Sequence, residues 1–149
     1  MSCINNNNLM LGDYVVYNDQ IYTVFKNIRP NEVGLVNKIC GEVHVYIYSD
    51  YNKHYNIYQV KLTKELLEQN EFTLVENCTS KWSLVDEYGN TIIISGSCEG
   101  ALCQTITIYT NSSSVANGYS KVVSDFPIIG LHDVQHLLKQ LHIKKSWVL

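Results

Sequence analysis

Positive charge and long apolar runs are what this sequence has least of. A single arginine, Arg29, stands among 11 Lys+Arg against 14 Asp+Glu, for a formal net charge of -3. Duplex nucleic acid gripped through its phosphates calls for a basic face, so that partner is disfavoured. No window reaches the ~18 unbroken apolar residues of a membrane span. The opening Met1–Met10 also lacks the basic start and apolar stretch of a secretory signal. The expected setting is therefore cytoplasmic, with no membrane partner. The five cysteines are odd in number and form no C-x-x-C pair, which argues for reduced thiols over a disulfide framework. What is abundant is apolar and aromatic. Hydrophobic residues make up 46% and tyrosines number 11, enough to bury a core and exclude wholesale disorder. A length of 149 residues fits one ordinary domain or two very small ones.

The first half is written in β. After a leader at 1–8 that Asn5–Asn8 mark as disordered, Asp13–Tyr17 runs through Asn18-Asp19 into Gln20–Phe25, a tight-hairpin pattern. Glu32–Val36 and Glu42–Tyr48 follow. In the latter, Val43, Val45 and Ile47 share one face, and His44, Tyr46 and Tyr48 the other. Ile57–Lys61 is a fifth short strand. Five strands in so short a span predict an SH3-like small barrel over 9–61.

From Leu62 the period changes. Thr63 is placed to cap a helix with Glu65 in its first turn, and Asn70 to take the left-handed position after it. Phe72–Val75, Lys81–Val85, Thr91–Ile94, Gln104–Tyr109 and Tyr119–Val123 read as strands. In Gln104–Tyr109, Ile106 and Ile108 point inward, and Thr105 and Thr107 outward. Leu131, Val134, Leu138 and Leu141 form one helical stripe, expected to cover the second sheet. The whole is expected to be a β-rich α+β protein. Its second part, 62–149, comprises a short helix, an antiparallel sheet and a C-terminal helix.

Three segments carry a resemblance. Leu9-Met-Leu-Gly-Asp-Tyr-Val15, Leu62-Thr-Lys-Glu-Leu-Leu67 with Asn70 and Phe72, and Leu131-His-Asp-Val-Gln135 with Leu137 stand in order along nearly the whole chain. Together they resemble a group of small proteins of Bacteroidetes and their phages and mobile elements. That group shows an L-x-I-G-[ND]-x-V start, an L-T-E-E-x-L…G-F middle and a V-H-x-L-Q-x-L terminal helix. Glu71 stands where the group usually has Gly, and the region 95–118 is longer here. The resemblance implies architecture and source, and no activity.

Three constellations are candidates for chemistry. Gly96-Ser-Cys-Glu-Gly100 has the G-x-C-x-G form of a nucleophile turn around Cys98, but it leads toward another strand where a hydrolase elbow needs a helix. His132 and His136 stand four apart on the last helix, at metal-binding spacing, with Cys98 and Cys103 as conceivable partners. On the helical wheel both histidines fall opposite the leucine stripe, beside Lys139, so a solvated face is expected and no metal is assigned. Tyr46, Tyr48, Tyr51, Tyr55 and Tyr58, with His44, crowd thirteen residues. Tyrosine offers a large rigid contact with a polar tip, which suits recognition, and it also favours strands for purely structural reasons.

No catalytic set is complete. The expected function is therefore that of a non-enzymatic interaction or adaptor protein, without cofactor, binding a protein partner through the tyrosine-rich face. A small-molecule-binding protein or cysteine hydrolase using the Gly96–Gly100 loop is the rival reading, a phage structural component is a third, and homo-oligomerisation stays open.

Overall fold

A computed structural model of the chain describes residues 9–29, 32–46, 57–96, 104–111 and 119–149. They form a β-rich α+β protein with two five-stranded antiparallel sheets and two helices. The chain divides into two compact units, one of 1–61 with 130–135, the other of 62–129 with 136–149.

The first unit carries β1 (Tyr14–Tyr17), β2 (Gln20–Arg29), β3 (Glu32–Asn37), β4 (Gly41–Tyr46) and β5 (Ile57–Gln59), in the order β4-β3-β2-β1-β5. The β1–β2 hairpin closes as its sequence predicts. Asn18 and Asp19 take φ of 48° and 58°, the left-handed pair that a two-residue turn needs to match strand twist. Val15, Tyr22, Val24, Val33, Leu35, Val45 and Ile57 come from one face of the sheet and bury together with Leu9. The alternation expected for 43–46 holds: Val45 is buried, while His44 and Tyr46 are exposed on the opposite side. Among the described residues the sheet is open, with no ladder between β4 and β5.

Residues 130–135 join this unit from far along the chain. Leu131 donates its amide to the Val60 carbonyl at 2.8 Å. A Cβ at Gly130 would lie 2.7 Å from that same carbonyl and 2.7 Å from Gln59 Oε1, so the approach admits only glycine.

The second unit opens with α1 (Lys64–Gln69), whose N-cap Thr63 accepts from the Leu66 amide as expected. Its end differs from expectation. Asn70 is the C-cap at φ -102°, and Glu71 takes the left-handed position at φ 70°. The Phe72 amide donates to the Leu67 carbonyl and the Glu71 amide to the Glu68 carbonyl, the double bond of a Schellman end. Then β6 (Thr73–Leu74), β7 (Lys81–Val85), β8 (Thr91–Ser95), β9 (Gln104–Asn111) and β10 (Tyr119–Ile128) form a sheet in simple meander order. Cross-strand pairs Trp82–Ile94, Leu84–Ile92, Ile92–Ile108 and Ile94–Ile106 line up a buried apolar face.

Two readings of this sheet are corrected. Thr107 is buried, because the bulged β10 folds over it and the Asp125 amide donates to its Oγ1 at 3.0 Å. And β10 runs on to Ile128 through Pro127, which a strand tolerates at the edge of a sheet, where the missing N–H disturbs no ladder.

Helix α2 (Leu131–Gln140) buries Leu131, Val134 and Leu138, the core of the expected stripe. Its first residues belong to the first unit, so the expectation that the helix as a whole covers the second sheet is corrected. It too ends in a Schellman arrangement, with His142 at φ 57° and the Ile143 amide donating to the Leu138 carbonyl.

Candidate functional site

Glycine and a carboxylate build the first of two residue groupings. Met10–Asp13 is a tight turn in which Gly12 takes φ 87° and the Asp13 amide donates to the Met10 carbonyl. The Asp13 side chain turns back and accepts the Met10 amide at 2.6 Å. Strand β2 clips the turn in place: Gly12 N–H donates to the Val24 carbonyl, and Val24 N–H to the Asp13 carbonyl. The carboxylate is thereby held at 1% exposure.

Helix α2 meets this turn with two side chains a turn apart. Gln135 accepts the Tyr14 amide through Oε1 and donates through Nε2 to the Gly12 carbonyl. His132 places Nε2 3.4 Å from Asp13 Oδ2 and Nδ1 3.7 Å from Asp133 Oδ1. With His132 only 3% exposed, the expectation of a solvated face is wrong for it. The wheel places it away from the leucines, but the Asp13 turn fills that side and sets a carboxylate beside the buried imidazole. His136 is half-buried one helical turn on, and its position relative to His132 is set by the helix itself.

The second grouping is the outer face of β3 and β4. Gly34 sits opposite His44, and the Phe25 ring covers it: a Cβ on Gly34 would lie 2.9 Å from that ring. The Phe25 and His44 rings are 6.5 Å apart, centre to centre. Glu32, 7% exposed, pairs across with Tyr46 and brings Oε1 to 3.4 Å from His44 Nδ1. Among the described residues β4 is an edge strand, and Tyr46 on it is 56% exposed. The result is an aromatic strip of Phe25, His44 and Tyr46 floored by a carboxylate.

The structure thus brings His44 and Tyr46 together. It leaves the half-buried Tyr58 on β5, at the opposite end of the strand order. Tyr48, Tyr51, Tyr55, Cys98, Cys103 and the 97–100 part of the glycine-rich loop lie outside the described residues. Phe25, Glu32 and Asp13 were missed as site residues. Phe25 and Glu32 read as ordinary strand residues, because what singles them out is a cross-strand neighbour. Asp13 and Gln135 both lie in the segments that carry the resemblance, and a tie between those segments was the available signal.

Among the described residues, no helix is long and apolar enough to cross a membrane. No family model, curated protein or solved structure matches this chain.

Proposed function

We propose that this chain is a non-enzymatic interaction protein that engages a protein partner at the β4 edge of its first sheet. The observation that carries this reading is the pairing of an aromatic strip, Phe25, His44 and Tyr46, with an edge strand. An edge offers backbone donors and acceptors to an added strand, and side chains beside it give specificity. Tyrosine and histidine at such an edge combine contact area with a polar tip at small entropic cost. The strand order β4-β3-β2-β1-β5, with the first strand between the second and the fifth, is the order of an SH3-like barrel, and we assign the first unit to that architecture. The resemblance of the Leu9–Val15, Leu62–Phe72 and Leu131–Gln135 segments supports a source in a Bacteroidetes phage or mobile element and, with it, a cytoplasmic setting.

The test is affinity capture from the host, with co-eluting proteins identified by mass spectrometry. A folded His44→Ala/Tyr46→Ala double variant should lose the captured partner, while Tyr88→Ala, an exposed tyrosine in the second unit, should keep it. Capture unchanged by the double variant ends this reading.

A further inference from the structure

Resting on the reading of β4 as the docking edge, we infer that its partner is an extended segment of alternating apolar and basic residues, with a cation set opposite Glu42. The quality of the sheet edges singles out β4. Among the described residues β5 offers three residues and β6 two, short rows of the kind that blunt an edge against pairing. Strand β10 is long, but its ladder shifts register twice and Pro127 lies within it, two further devices that block an added strand. Strand β4 has neither. All six of its pairs with β3, from Glu32–Tyr46 to Asn37–Gly41, stay in register, and among the described residues no strand pairs with it on the other side.

The two faces of β4 set what an added strand must carry. Val43 and Val45 lie on the apolar side of the sheet, Val45 buried and Val43 half-buried against the core. A strand laid beside them continues that face only with apolar side chains. Glu42 and His44 alternate onto the other side, and both are exposed. There Glu32 of β3 brings Oε1 to 3.4 Å from His44 Nδ1, whereas Glu42 has no ion-pair partner among the described residues. The exposed Lys26 and Lys38 stand on β2 and in the β3–β4 turn, so neither occupies the row beyond β4. An added strand runs about 4.8 Å from β4, and the residue directly opposite Glu42 comes within cross-strand reach of its carboxylate. Opposite charges so placed attract and like charges repel, each effect worth up to about fivefold in affinity. Lysine or arginine therefore fits that position, and aspartate or glutamate is rejected there.

The test is an NMR titration of the 15N-labelled full chain with two capped hexapeptides, Thr-Val-Arg-Val-Thr-Val and the same sequence with Glu in place of Arg. The arginine peptide should shift the amides of Glu42–Val45 and bind about fivefold tighter or more than the glutamate peptide. The preference should shrink in 1 M salt, where screening acts over about 3 Å. Glu42→Lys, a change at an exposed position, should invert the ranking of the two peptides. Glu87→Lys, an equal change of net charge on an exposed turn of the second unit, should leave it as in the parent. Equal binding of both peptides, a ranking that Glu42→Lys leaves unchanged, or no binding of either would each overturn the inference. Charge-indifferent binding that still shifts the Glu42–Val45 amides refutes the basic partner and keeps the docking edge. Partner capture indifferent to the His44→Ala/Tyr46→Ala variant refutes the edge itself, so the two failures are distinguishable.

Discussion

Gly130 and Glu71 show how single backbone positions govern this chain. At Gly130 an added methyl would meet the Val60 carbonyl at 2.7 Å, and backbone cannot step aside as a side-chain tip can. Gly130→Ala should therefore cost about 1–3 kcal/mol, the usual penalty of forced overpacking, read as a lower urea midpoint with unchanged slope. An unchanged midpoint would show that the Gly130–Val60 approach is slack. Glu71 is the opposite case, a side chain held at φ 70° where glycine sits without strain. Relief of about 1–2 kcal/mol, less the extra entropy glycine carries in the unfolded chain, predicts that Glu71→Gly stabilises by roughly 1 kcal/mol. A thermal melt that fails to rise would place the strain elsewhere. Replacing His132 by Ala should cost about 1–3 kcal/mol, because it removes the imidazole beside a carboxylate held at 1% exposure.

Between residues and the whole lie the elements and the ties that hold them. The C-terminal segment after α2 has no regular structure of its own, yet Ile143 and Trp147 are buried. Two devices seat it. Trp147 stacks on Phe72 with ring centres 6.0 Å apart. Asn70, 1% exposed, donates to the Val148 carbonyl at 2.8 Å and accepts the Val148 amide at 2.7 Å, as a neighbouring strand would. It also donates to the Leu66 carbonyl. Asn70→Leu keeps the volume and removes all three bonds, leaving the Val148 N–H and carbonyl without their protein partner. It should cost about 1–2 kcal/mol, and the Val148 amide should lose its protection in hydrogen exchange. Retained protection would mean that the aromatic stack alone seats the tail.

At the scale of the molecule, the first unit is completed by residues some seventy positions beyond its last strand. Gln135 and Leu131 satisfy backbone groups of Gly12, Tyr14 and Val60, and His132 sets its Nε2 3.4 Å from the Asp13 carboxylate. A fragment of residues 1–61 keeps every strand of the first sheet but leaves the Asp13 carboxylate without the His132 imidazole and three backbone groups without their partners. It should give a poorly dispersed amide NMR spectrum, while the full chain gives a dispersed one. A well-folded fragment would show that the helix is an accessory to that unit and not part of it.

Much of this was legible locally. The Asn18-Asp19 turn, the alternation of 43–46, the Thr63 cap and the apolar stripe of Leu131, Val134 and Leu138 follow from short-range rules, because turn chemistry and periodicity act over a few residues. Other features were decided only in three dimensions. Thr107 is buried because a bulged strand folds over it, Glu71 displaces Asn70 at the helix end because Asn70 is needed by Val148, and His132 is interior because Asp13 lies more than a hundred residues away. The sequence by itself determined which segments are strands and helices and which faces are apolar. Only the tertiary structure decided which polar groups meet, since a buried charge is tolerated where its counter-charge lands, and nothing local records that place.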